Sequence, residues 1–246
     1  MANWTDDGFV ISMRPHGENA AIIGLFTKYH GRHMGLVHAA SSKSKKAILE
    51  PGNHVSAEWR ARLDTQLGTY ALELVKASSA TMLSDPLKLA ALSSICAILD
   101  ISLPEREPQT TIYEATSALL EVLSLADEVA QWLPIYLRWE LGMLEALGFG
   151  LMLDKCAVSG TTQALSYVSP RTGHAVHHAE AGPYKDRLLQ LPACLGGAET
   201  LADEFSAGLS LTGHFMTRHI FGAVHKDLPQ PRIRLAYLIS QLYNNE

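Results

Sequence analysis

The feature that most constrains this 246-residue chain is a change of hydrophobic period near residue 77. Before it, apolar and polar residues alternate in short runs. After it, apolar residues recur at the three-to-four-residue spacing of amphipathic helices. Five runs, residues 9–15, 20–27, 32–40, 54–63 and 69–77, read as strands. The breaks between them carry turn chemistry: His16-Gly17-Glu18-Asn19, Lys28-Tyr29-His30-Gly31 and Pro51-Gly52-Asn53 supply residues suited to tight reversals. Five short strands within roughly 80 residues suit a small closed barrel of the OB kind, since closure leaves no exposed sheet edge. An SH3-like barrel fits the strand count nearly as well.

The helical part opens at Asp85-Pro86, where the carboxylate is placed to cap free amides and proline occupies the first helical position. Helices are expected over residues 87–101, 110–125, 133–147, 205–224 and 232–243. Between them, residues 150–182 are punctuated by Gly160, Ser169-Pro170, Gly173 and Gly182 and read as a compact insert. The expected organisation is therefore α+β, with a five-stranded OB-type barrel over residues 1–80 and a helical domain over 81–246 that carries the insert.

A formal charge of −5 argues against a protein that coats nucleic acid with its whole surface, because such binding rests on phosphate neutralisation. The charge is unevenly spread. Residues 1–77 hold nine Lys/Arg against seven Asp/Glu, whereas the remainder nets −7. Within 28–62, Lys28, Arg32, Lys43, Lys45, Lys46, Arg60 and Arg62 face only Glu50 and Glu58. These seven cations are the candidate nucleic-acid contacts. The run Ser41-Ser42-Lys43-Ser44-Lys45-Lys46, read as an exposed loop between the third and fourth strands, offers hydroxyl and ammonium donors to phosphate, although charge runs more often decorate a surface. Phe26, Tyr29 and Trp59 are candidate stacking surfaces, with Phe26 and Trp59 read first as core residues.

Three cysteines without paired spacing, and the N-terminal MANWTDDGF without a charged-then-apolar pattern, fit a cytoplasmic protein. No apolar run approaches the ~20 residues needed to cross a bilayer. No nucleophile elbow, phosphate-binding glycine loop or zinc-hydrolase motif is present, so a binding protein is favoured over an enzyme. The cluster His174, His177 and His178 downstream of Cys156 invites a metal reading, but Ser159 stands where a second thiolate belongs, and serine is a poor zinc ligand. A metalloenzyme built on these histidines and an OB-type RNA-binding module are the competing readings.

Three blocks together resemble the RecO family of bacterial recombination mediators. They are Arg14-Pro15-His16-Gly17-Glu18 continuing through Leu25 to Arg32, Pro51-Gly52-Asn53 continuing through Trp59 to Leu63, and Leu211-Thr212-Gly213-His214-Phe215-Met216-Thr217-Arg218-His219. The resemblance implies an OB barrel, a helical domain and a zinc-ribbon-like insert. In some members that insert carries four cysteines. Here the four positions match Cys156, Ser159, His177 and Glu180, which implies a degenerate ribbon without metal. The resemblance further implies a non-enzymatic protein that needs no cofactor and binds single- and double-stranded DNA. The same resemblance implies that it anneals complementary strands, acts with RecR, and uses the acidic C-terminal tail of single-stranded-DNA-binding protein to let RecA load. A nucleoid-associated cytoplasmic location follows. Arg138, Arg218, Arg232 and Arg234 are the cations expected to receive that acidic tail.

Overall fold

A computed structural model describes residues 1–244, with side chains described through Leu242; the last two residues of the 81–246 span lie outside the described residues. The chain is α+β and packs as two compact units, one ending at Leu125 and the other beginning at Ala126.

The first unit begins with β1 (Ala2–His16), β2 (Ala20–Thr27) and β3 (Gly31–His38). A short helix α1 (Lys43–Ile48) leads to β4 (His54–Ala61) and β5 (Thr69–Lys76). The strands pair in the order β1-β2-β3-β5-β4 and close into a barrel. Strand β1 is twice the expected length because it serves two partners: residues 2–9 pair with β4 and residues 8–16 with β2. A register shift between Val10 and Ser12 lets one strand turn this corner, as bulges do in small barrels. Val10, Ile23, Leu25, Val37, Leu49, Val55 and Trp59 fill the interior, each at most 1% exposed. Burying each such side chain contributes about 1.5–3 kcal/mol.

The lysine-rich run is not the expected loop. Ser42 accepts a hydrogen bond from the Lys45 amide and caps α1, while Ile48 and Leu49 at its other end pack into the barrel core. Buried Asn53 fixes that end, its Nδ2 donating to Ala47 O (2.8 Å) and its Oδ1 accepting from Ser79 Oγ (3.0 Å). Two apolar residues inserted into the core override a weak local pattern.

Helix α2 (Ser78–Met82) leads into α3 (Pro86–Ser102), which begins as expected: Asp85 Oδ1 accepts from the Leu87 and Lys88 amides, with Pro86 at the first position. Helix α4 (Thr110–Leu125) brings Tyr113 against Phe9 and Phe26. The link between α3 and α4 completes the barrel wall. Glu105 forms a parallel bridge with Arg32 of β3, and the Arg106 amide donates to Arg32 O (2.7 Å). Gly31, at φ +63°, lies so close to the Glu107 backbone that a Cβ would collide with it.

The second unit contains α5 (Val129–Ala146), α6 (Glu204–Phe215) and α7 (Gln230–Asn244). The expected helix over 205–224 changes form partway. After Phe215 it becomes a π-helix, Met216–Phe221, and then a 3-10 turn, Gly222–Val224. The insert forms a four-stranded sheet, β6 (Met152–Cys156), β7 (Leu165–Val168), β8 (His174–His177) and β9 (Leu189–Gln190), in the order β6-β8-β7-β9. Among the described residues, no helix is long and apolar enough to cross a membrane.

Candidate nucleic-acid interface

The seven cations of the first unit occupy three different settings. Lys43, Lys45 and Lys46 lie on α1 without an ion-pair partner among the described residues. Because the end of α1 is tied to Asn53 at the start of β4, they sit near the His54 end of that strand. Arg60 and Arg62 lie at its other end, six and eight residues on, which places them on the order of 20 Å from His54. Arg62 is exposed and free of ion pairs among the described residues, whereas Arg60 donates from Nε to Glu58 Oε1 (3.0 Å) and pairs with it through Nη2.

Lys28 and Arg32 are already engaged within the first unit. Lys28 Nζ lies 3.4 Å from Glu114 of α4. Arg32 donates from Nε to Leu103 O (2.8 Å) and stands 3.8 Å from Asp100, a carboxylate shared with Arg14 at 3.0 Å. Only 18% of the Arg32 side chain is exposed, so it braces β3 against α3 and offers phosphate little surface. Of the seven candidate cations, those left accessible thus fall into two separated groups, the α1 lysines and the Arg60–Arg62 end.

The Arg60 end also carries the barrel's aromatic cluster. Trp4 pairs with Trp59 across β1 and β4 and stacks on His30 of the β2–β3 turn at 4.1 Å. Buried Asp6 organises that turn, accepting from the Tyr29 amide (2.8 Å) and meeting His30 Nδ1 at 2.8 Å. Beneath it, His33 Nδ1 meets Tyr70 Oη at 2.8 Å. Burial lowers the His33 pKa to about 4, with the Arg106 charge and His30 adding to the shift. Phe26 and Trp59 are core residues, at 0% and 1% exposure. Tyr29 is exposed, with the Lys28 ammonium 5.6 Å from its ring centre.

Sequence reasoning overlooked Arg106, Trp4 and His30. Arg106 donates through Nη1 to Asp64 O and through Nη2 to Gln66 O (2.8 Å), and its guanidinium stands 5.9 Å from the Trp59 ring centre. Its hydrogen-bond partners in the loop are backbone carbonyls, which leave no trace in a single sequence.

In the second unit, the four expected cations separate in a similar way. Arg232 is not available to a partner. It is 1% exposed and pairs with Glu140, itself fully buried; Nη2 also donates to Leu209 O (2.9 Å). Burial alone pulls the Arg232 pKa down, but the Glu140 charge outweighs it and the net shift is upward. Arg138 donates to Cys194 O (3.1 Å) and Arg218 to Pro170 O (2.9 Å), both near the surface, and Arg234 is exposed. A groove of about 750 Å³ runs between α6 and α7, walled by Leu209, Leu228, Ile233 and Ala236 and edged by His214 and Arg218.

At the four positions expected to form a degenerate ribbon, the Cys156 sulfur accepts from the Val158 amide (3.4 Å) and the His177 amide (3.3 Å). Burial raises its pKa, but hydrogen bonds from Ser159, His177 and Val158 outweigh that and bring it to about 7. His177 Nδ1 accepts from the Ala179 amide at 3.1 Å and is spent within the backbone turn. Among the described residues, no three His, Cys, Asp or Glu side chains gather in a way that would hold a metal ion.

The family model described as recombination protein O N terminal matches residues 1–77, and that described as recombination protein O C terminal matches residues 83–228. The chain is similar to a DNA repair protein RecO from Rhodospirillum centenum, 52% identical with 94% of this chain and 92% of the relative covered. A protein of the same name from Hyphomonas neptunium is 46% identical, with 95% and 96% covered. Another, from Cereibacter sphaeroides, is 43% identical, with 98% and 100% covered.

Proposed function

The chain belongs to the RecO family, a family of DNA repair and recombination, and from that premise we propose that it is a non-enzymatic mediator that holds DNA on its first unit. We read the five-stranded barrel as an OB-type domain and residues 1–80 as its nucleic-acid-binding part. The helical remainder, 81–246, is read as bearing partner contacts and a zinc-free ribbon. The observation that carries the DNA reading is that Lys43, Lys45, Lys46 and Arg62 have no ion-pair partner among the described residues, on the first unit of a chain with net charge −5. Each is free to neutralise a phosphate without first breaking an ion pair of its own.

In this reading the protein binds single- and double-stranded DNA and anneals complementary strands. It cooperates with RecR so that RecA replaces single-stranded-DNA-binding protein. It needs no cofactor and works at the nucleoid in the cytoplasm. The α6–α7 groove fits the acidic C-terminal tail of single-stranded-DNA-binding protein, because an apolar wall with Arg218 on its rim suits a peptide with apolar side chains and a terminal carboxylate.

Titration of a labelled single-stranded oligonucleotide at several salt concentrations tests the central statement. Four phosphate contacts predict a slope of log affinity against log salt of about −3, from roughly 0.7 per contact on a single strand. Absence of binding, or binding indifferent to salt, overturns the reading. RNA of the same sequence bound more tightly than DNA points instead to an RNA-binding module.

A further inference from the structure

The loop joining β4 to β5, residues 62–68, displays Arg62, Leu63 and Leu67 to solvent. Its backbone is nonetheless gripped at four carbonyls. Arg106 takes Asp64 O and Gln66 O, Trp59 Nε1 donates to Leu67 O (2.9 Å), and the Leu36 amide donates to Gly68 O (3.0 Å). Two of the four grips come from one guanidinium, contributed from outside the barrel strands by the α3–α4 link. Arg106 sits there at φ +64°, a conformation that residues with a Cβ rarely adopt. Glu105 lies 3.7 Å from its Nε, so the two terminal nitrogens remain for the loop. A strained backbone that aims a fork of donors at two carbonyls of a neighbouring loop costs free energy, and it is retained only where the surroundings enforce it.

We propose that Arg106 is a positioning residue for nucleic-acid binding. It holds loop 62–68 so that Arg62, Leu63 and Leu67 are already ordered next to the Arg60 end of β4. The inference rests on the DNA-binding reading above and adds the device that sets affinity and strand preference. Leu63 and Leu67 offer apolar surface to base faces, which a single strand exposes and a duplex hides, so the ordered loop favours single strands. A loop ordered beforehand does not lose its conformational freedom on binding. Releasing even one or two of its residues in the free protein therefore weakens binding roughly tenfold.

The test uses the full chain, a labelled oligothymidylate, a duplex of equal length, and three variants. Arg106→Gln removes the charge and both grips. Arg106→Lys keeps the charge, but a single ammonium cannot reproduce the planar fork across two carbonyls. Gly68→Ala changes no charge, yet it places a Cβ against the Trp59 indole at φ +65° and unseats the loop from its other side. All three are expected to bind the single strand roughly tenfold more weakly and to lose less on the duplex, with the wild-type salt slope retained. Amides of residues 63–68 should exchange with deuterium faster in each. If Arg106→Gln fails to fold by circular dichroism, Arg106→Lys and Gly68→Ala carry the test.

The proposal is overturned if Arg106→Lys binds like wild type while Arg106→Gln loses affinity and about 0.7 of salt slope, which would make Arg106 a direct phosphate contact. Faster loop exchange with unchanged affinity overturns it as well. Failure of the wild-type chain to bind either oligonucleotide removes the DNA-binding reading and this inference together, whereas intact wild-type binding with unaffected variants removes the inference alone.

Discussion

Replacing Arg232 with methionine separates a structural arginine from a partner-binding one. Arg232 and Glu140 are 1% and 0% exposed, and the pair is completed by Thr212 Oγ1 donating to Glu140 Oε2 (2.6 Å) and Tyr136 Oη donating to Glu140 Oε1 (2.9 Å). Removing the guanidinium leaves a buried carboxylate with two neutral donors, and breaking such a pair costs about 3–5 kcal/mol. In a unit of this size 1 kcal/mol moves the melting temperature by roughly 4 °C, so a fall of about 10–20 °C is expected. The double variant Glu140→Leu, Arg232→Met removes both charges and should recover most of the loss, because buried pairs are often replaced by apolar residues at little net cost. Differential scanning calorimetry of wild type, both single variants and the double variant reads the cycle. An unshifted melting temperature in Arg232→Met, together with lost binding of an acidic peptide, would refute the structural assignment and return Arg232 to the partner surface.

Other expectations follow from particular contacts. Charge reversal at Lys43, Lys45 and Lys46 should flatten the single-strand salt slope by about 2, with each change in stability within about 0.5 kcal/mol; an unchanged slope moves the DNA path to the Arg60–Arg62 end. The purified protein should contain no stoichiometric zinc and melt at the same temperature with or without chelator; one equivalent of metal and unfolding on its removal would contradict this. His33 titrates near 4 in the folded chain against 6.5 when free. The unfolded chain therefore binds the extra proton between those values, and stability present above pH 6.5 is lost as pH falls toward 4. Allowing for screening, the loss is about 2 kcal/mol, and in His33→Gln this part of the pH dependence of urea unfolding should disappear.

The strand segments and their turns were legible because alternation and turn residues are local signals. Asp85-Pro86 was legible for the same reason, a cap and a start within one turn. The first half of β1 was not, since Trp4-Thr5-Asp6-Asp7 contains residues that strands avoid; Asp6 is tolerated there because it ties down the β2–β3 turn. The run at 41–46 carries no apolar periodicity, and its helix depends on Ile48 and Leu49 reaching the core. Charge counting found the cations but not their partners. Glu114 and Asp100, which occupy Lys28 and Arg32, lie far along the chain, as does Glu140 from Arg232. The π-helix at Met216–Phe221 has an apolar spacing close to that of an α-helix, from which the sequence alone does not distinguish it.

The bridge between Arg32 and Glu105 has a consequence for synthesis on the ribosome. The last barrel strand ends at Lys76 and meets β3 through Leu36 and Thr69, but the Arg32 end of β3 stays uncovered until Glu105 and Arg106 of the α3–α4 link arrive. At about 5–20 residues per second, the roughly 30 residues from Lys76 to Arg106 leave that part of the seam open for roughly 1.5–6 s. During that interval its unpaired edge is a template for other emerging strands. Folding yield in vivo should accordingly depend on translation speed across the α2–α4 stretch, a region that contributes no strand to the barrel.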